Sequence, residues 1–212
     1  MVLIDRSQTI ADVLSRVGAK LDVTVTDNST PSSDQVVQWL NDGSLLMVKY
    51  MPPHRLGSLM FVTTESDVGE YWALASTDML RPVAVKKFGV ECARLVQRDL
   101  DLVITQTPLL FTTRNPAFAV SGEAGALKLQ FWPASLGPVS VKGIKRPTAF
   151  ENDAGWAPDQ WSLPAELELN AIDYAVIQGK IQDEEIEQAT ILKKEWTQEL
   201  GIEMQIDALG VD

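Results

Sequence analysis

What most constrains this chain is a change of hydrophobic period. Apolar residues recur every three to four positions toward both ends and every second position in the middle. A segment of helical period cannot bury its apolar side as a strand, nor the reverse, so two kinds of packing must coexist. The expectation is an α+β protein, a helical bundle from the N- and C-terminal segments with a small β domain inserted between them.

In the first part, Ile10, Val13, Leu14 and Val17 predict a helix over 9–20, with Ser7 or Thr9 as its cap. The polar run 26–31 predicts a loop. Ser32 with Gln35 matches a capping box, and Val36, Trp39, Leu40, Leu46, Met47 and Tyr50 give a helix over 35–50 an apolar face, weakened at Gly43. Pro52 and Pro53 force a corner, after which Leu56, Leu59 and Met60 suit one or two further turns.

Around Arg81 the pattern changes. Val83, Val85, Val90, Cys92 and Leu95, then Leu100, Leu102, Val103 and Ile104, form short β-rich runs cut by Gly89, Asp99 and Pro108. Leu127, Leu129 and Phe131, then Val139 and Val141, alternate as across a hairpin. A turn-rich stretch over 150–161 carries Trp156 and Trp161. Helical spacing then returns in Leu167, Ala171, Tyr174 and Gln178 and, after a break at Gly179, in Ile186, Ala189, Leu192, Trp196 and Leu200. Two antiparallel helices, 164–178 and 183–200, follow, with Gly201 as the stop. The expected organisation is a helical domain over 1–80 and 151–200 whose core holds Trp39, Tyr174 and Trp196, a β domain over 81–150, and a docking tail over 201–212.

That tail alternates strictly: Ile202, Met204 and Ile206 would line one face of an extended strand, with Leu209 beyond them. Such a strand either pairs inside its own subunit or docks on a neighbour by strand addition.

Charge is unevenly placed. Of the formal −11, residues 164–212 carry −9, with twelve acids against three lysines. An acidic surface repels phosphates, so tight non-specific DNA binding is not expected. A solvated helix face is its ordinary role, and the lining of a passage through which DNA slides is the alternative.

Composition excludes several classes. With 45% hydrophobic and 22% charged residues over 212 positions, the chain reads as a folded globular protein of one or two domains. One cysteine, Cys92, and one histidine, His54, give no internal disulfide and no cysteine and histidine cluster of metal-ligand spacing. Asp5 and Arg6 stand where a signal peptide needs an apolar core, and no apolar run approaches the roughly 18 to 20 residues of a membrane span, so assembly in the cytosol is expected. Glu166 and Glu168, or Glu184, Glu185 and Glu187, could be offered as paired catalytic carboxylates. Positions two apart on a helix do not face each other, however, and acids are favoured at a helix start. Ser58 lacks a nucleophile elbow, Cys92 sits in a β-like run, and Gly122-Glu123-Ala124-Gly125 matches no phosphate loop. No catalytic residue, cofactor or metal is expected.

The order of parts resembles a known family. An N-terminal helix, the Ser32-Ser33-Asp34-Gln35 start, Trp39-Leu40-Asn41-Asp42-Gly43, the Pro52-Pro53 corner and a β insert are similar to the head-to-tail adaptors of tailed bacteriophages. Phe131-Trp132-Pro133, Val139-Ser140-Val141, Arg146-Pro147, and Leu163-Pro164-Ala165-Glu166 before Asp173-Tyr174-Ala175 continue the likeness, which is nearest to the tail tubular protein A type. The resemblance implies a structural virion protein at the neck, in a homo-oligomeric ring of about twelve subunits. The ring would lie between the portal protein and the nozzle or other tail proteins and extend the DNA channel without specific DNA binding or membrane contact. Ile202, Met204, Ile206 and Leu209 would be its portal-binding residues.

A binding module is the alternative. Trp132, Trp156 and Trp161 could form an aromatic platform for a carbohydrate or receptor, although tryptophans more often serve core and interface packing.

Overall fold

The structure, a computed structural model, describes residues 10–74, 78–122, 127–152 and 163–201. The fold is α+β, as expected, and the chain divides into two compact units, Met1–Leu59 with Pro147–Asp212, and Met60–Arg146.

The first unit contains α1 (Ile10–Leu21), α2 (Ser33–Tyr50), α4 (Ala165–Gln182) and α5 (Ile186–Leu200). α2 starts on the expected capping box: the Ser32 hydroxyl accepts from Gln35 N, and Gln35 Oε1 accepts from Ser32 N at 3.0 Å. Caps at Ser7 or Thr9 lie outside the described residues. α4 is the central helix, packing against α1, α2 and α5. Two glycines make this possible. A Cβ on Gly43 would meet Tyr174 at 2.8 Å, and one on Gly179 would meet Leu21 at 2.6 Å, so both are notches into which a side chain of the neighbouring helix fits. Gly179 is therefore no break. α4 runs on to Gln182, and the reversal falls at Asp183, Glu184 and Glu185, where Glu184 takes a positive φ of 62°.

After the β unit the chain returns along α2. Asn41 grips it with both ends of its amide, Nδ2 donating to Phe150 O at 2.9 Å and Oδ1 accepting from Phe150 N at 2.6 Å, and Phe150 is buried. Asn152 Nδ2 then donates to Asp34 Oδ1 at 2.8 Å.

The second unit begins earlier than expected, at Met60 instead of Arg81. Leu56 and Leu59 do lie in or beside short 3-10 turns, Pro53–Arg55 and Gly57–Leu59, but Met60 opens β1 (Met60–Val68), with β2 (Tyr71–Ala73) behind it. β1 is a sheet-edge strand with mostly exposed residues, so its sequence carries little alternation. The unit closes at Arg146, not residue 150. β3 (Met79–Lys87), β4 (Val90–Glu91) and β8 (Gly137–Lys145) complete one antiparallel sheet, ordered β1-β8-β3-β4. Pro82 is tolerated because the ladder shifts register beside it and β4 pairs only with Lys86 and Lys87. The other sheet is ordered β2-β7-β6-β5, with β5 (Ala93–Leu95) parallel to β6 (Ala117–Ser121), and β7 (Lys128–Trp132) antiparallel to β6 and β2.

The parallel pair requires a crossover, supplied by α3 (Gln97–Gln106). Leu100, Leu102, Val103 and Ile104 are thus helical, not strand. Leu100 and Ile104, four apart, pack with Ala117, Ala119 and Trp132 on the second sheet. The opposite face of that sheet supplies Phe118, Leu129 and Phe131 to a core shared with Val68, Met79, Val85, Val139 and Val141 of the first. β7 and β8 are accordingly no hairpin. The alternation in each marks inward residues, but the chain changes sheet between them.

Lys87 is a charged residue in this interior. It is fully buried, its Nζ donating to Gly69 O at 2.7 Å and Pro133 O at 3.1 Å, above the Phe131 ring at 5.0 Å. Desolvation holds its pKa below the usual lysine range.

Candidate functional site

The α4–α5 hairpin carries the features singled out in the sequence. Trp196 of α5 is buried, its indole nitrogen donates to Asn170 O at 2.7 Å, and its ring lies 5.3 Å from that of Tyr174. Tyr174 and Trp39 are only half-buried, so of the three expected core aromatics Trp196 alone is fully enclosed. The reason is position: Tyr174 fills the Gly43 notch with one side and leaves the other near the surface.

Hairpin acids are mostly outward. Glu166, Glu184, Glu187, Glu195 and Glu199 are exposed, while Glu168 is buried on the other side of α4, so the carboxylates at 166 and 168 do not converge. Lys180 Nζ pairs with Glu185 Oε2 at 3.0 Å across the turn, and Lys20 pairs with Asp173. By unit the contrast sharpens: Met60–Arg146 holds ten Lys and Arg against eight Asp and Glu, +2, which leaves −13 on the helical unit.

The end of α5 is held in place. Gly201 caps it in the left-handed region at φ 64°, and Arg55 Nη1 donates to Glu199 O at 3.2 Å and Leu200 O at 3.1 Å. The point from which the tail departs is therefore fixed. Ile202, Met204, Ile206 and Leu209 themselves lie outside the described residues.

Beside the hairpin is an open groove of about 470 Å³. Val176, Ile177, Leu192 and Trp196 form its apolar side, and Lys20, Asp173, Lys180, Glu195 and Glu199 its charged rim. No sequence signal marks it, because its lining comes from three helices, α1, α4 and α5, that are brought together only by the fold.

The residues weighed for chemistry do not converge. His54 and Ser58 are exposed on the 3-10 turns of the helical unit. Cys92 is buried in the β unit, and burial pushes its thiol up to about 11, so it is a neutral thiol near pH 7. Among the described residues no group of three or more His, Cys, Asp or Glu could hold a metal ion, and no helix is long and apolar enough to cross a membrane. Trp132 of the proposed platform is half-buried, packed against the α3 cluster with its indole nitrogen donating to Pro108 O at 2.9 Å. Trp156 and Trp161 lie outside the described residues.

Sequence reasoning passed over one feature that was visible. Leu109 and Leu110 sit between Pro108 and Thr112-Thr113-Arg114-Asn115, two large apolar residues inside a turn-rich stretch, and both are exposed. No protein-family model matches the chain, and no curated protein matches it in sequence.

Proposed function

We propose that this protein is a structural component of a phage neck, a head-to-tail adaptor that forms a ring between portal and tail and extends the DNA channel. The observation that carries this reading is the acidic α4–α5 hairpin. It belongs to a helical unit built from both ends of the chain, it terminates at a position pinned by Arg55, and beyond it follow the alternating residues Ile202, Met204 and Ile206. A fixed exit followed by a strand-like segment suits strand addition to a partner ring, where main-chain hydrogen bonds give affinity and alternate side chains set register.

The charge of −13 on the helical unit supports a lumen that passes DNA without holding it. Nothing in this role requires catalysis.

The test is electron microscopy of the purified protein mixed with the portal of the same phage. The expected image is a ring of this protein coaxial with the portal. Absence of any portal-bound ring, with both proteins folded and at high concentration, overturns the reading.

A further inference from the structure

The run Val23-Thr24-Val25-Thr26 has the composition of a strand and alternates like one, half-buried at Val23 and Val25 and exposed at Thr24 and Thr26. It is nevertheless no strand. Thr26 makes an isolated bridge to Ser32, and among the described residues neither Thr24 nor Val25 has a main-chain hydrogen bond. The run is held from beneath by α1: Val23 N donates to Gly18 O at 2.9 Å, and a Cβ on Gly18 would stand 2.5 Å from Val23 O and 3.3 Å from Val25 Cγ2. An ordered edge with unspent donors and acceptors is a template for one more extended segment.

A groove of about 350 Å³ lies along that edge. Its other wall is α1, where Ala11, Ser15 and Ala19 fall four apart on one face and are exposed, with Leu14 buried beside them. Small side chains at this spacing leave a trough, and no charged residue lines it. Such a lining favours an uncharged apolar segment.

The sequence holds such a segment close by. Nine residues precede α1, and among them Val2, Leu3 and Ile4 are an uncharged apolar run that ends six positions before Ile10. Six residues of extended chain reach roughly 20 Å, while α1 rises only about 14 Å from Ile10 to Ala19, so the run can reach the whole groove of its own chain. The short tether also gives it a local concentration far above that of a second molecule.

We propose that Val2, Leu3 and Ile4 dock in the groove of their own chain as an added strand beside Val23–Val25. The added strand supplies main-chain partners to the open edge and covers the apolar trough on α1. It thereby closes to strands of other molecules, the alternating tail included, an edge that would otherwise receive them. Groove and segment both belong to the helical unit, and the inference does not rest on the adaptor reading.

Two experiments on the full chain test it. In the first, Leu3→Cys is combined with Ser15→Cys in one chain and oxidised mildly at low concentration; native Cys92 is buried and stays silent. An intrachain disulfide is expected, forming well above a control chain carrying Leu3→Cys with Asp42→Cys, whose second position is exposed on α2 away from the groove lining. In the second, amide hydrogen exchange at Thr24 and Val25 is compared between the parent and a variant with Val2→Asp, Leu3→Asp and Ile4→Asp. At least one of the two amides is expected to exchange about tenfold or more faster in the variant, while amides within α2 and α4 are unchanged. Intrachain cross-linking no greater than control, or equal exchange at both amides, overturns the proposal. So does a disulfide that forms only between a Leu3→Cys chain and a separate Ser15→Cys chain, which would place the segment on a second copy.

Discussion

Gly43 of α2 lies against Tyr174 of α4 so closely that a Cβ at position 43 would stand 2.8 Å from Tyr174 Cδ1 and 2.9 Å from its Cβ. The ring cannot simply swing aside, because its other neighbour is Trp196, 5.3 Å away between centroids. The contact also involves Tyr174 Cβ, which moves only with α4 itself.

Gly43→Ala is therefore expected to destabilise the protein even though alanine is the better helix former. Overpacking costs about 1 to 3 kcal/mol, and helix propensity returns at most about 1 kcal/mol of it. The urea midpoint of the variant measures the balance. A midpoint above that of the parent would show that α2 and α4 are not in this contact.

Trp196→Ala removes a fully buried ring and should cost about 3 to 5 kcal/mol. Trp196→Phe keeps most of the apolar surface and loses the hydrogen bond to Asn170 O, for a smaller loss of about 1 kcal/mol. Denaturant titration of both separates packing from polar contribution. Equal losses in the two variants would contradict the burial.

Lys87→Met should destabilise by about 1 to 3 kcal/mol, since Gly69 O and Pro133 O lose their donor inside the β unit. Part of the loss is offset because a charge no longer has to be buried. Stability equal to or above the parent would mean that these two carbonyls find other partners.

The Cys92 thiol gives a pH signature. Burial raises it to about 11 in the folded chain against an ordinary 9.0, so the unfolded state releases its proton first as pH rises. Its contribution to stability is complete below pH 9 and is lost progressively between about pH 9 and 11. Lys87 acts in the opposite sense, because its lowered pKa means that the cost of burying its charge is relieved as pH climbs toward the usual lysine value. Comparing Cys92→Ala with the parent isolates the thiol, and the variant should show the flatter alkaline decline by thermal unfolding. An identical slope in both would place the thiol in water.

Ending the chain after Gly201 should leave thermal unfolding unchanged, since α5 is already capped by Gly201 and Arg55. Docking on the portal should be lost. If the shortened chain unfolds at lower temperature, or binds the portal as before, the tail is not the docking segment.

Much of this architecture was legible in the sequence, and the misses share a cause. Period identifies an element but not its partners. Ser32 with Gln35, the helical spacing around α1, α2, α4 and α5, and the inward residues of β7 and β8 were readable because each is a local pattern. That β7 and β8 belong to different sheets depends on non-local pairing. α3 reads as strand because Val103 and Ile104 favour strands, while its apolar contact with the sheet it covers is made by Leu100 and Ile104, four apart. β1 escapes notice because an edge strand with Thr63, Thr64, Glu65 and Asp67 has little apolar face to display. Gly43 and Gly179 read as weaknesses within one helix and prove to be features of helix pairs. At the candidate site, the helix stop at Gly201 was visible in advance, its hold by Arg55 was not, the exposed Leu109 and Leu110 were visible and passed over, and the groove was not encoded locally at all.

The pairing of Met60 with Ile144 has a consequence for how such a protein is put together. The β unit begins and ends on adjacent antiparallel strands, so its two entry points stand roughly 5 Å apart. Seen from the helical unit, the whole insert behaves as a loop whose ends are already joined, and its length adds almost nothing to the entropy of closing the bundle. Residues 60–146 could therefore be exchanged for another module with neighbouring ends, or for a short turn, without asking the helices to find one another anew. The chain is in that sense a cassette: residues 60–146 can be replaced while the part that closes the bundle is kept.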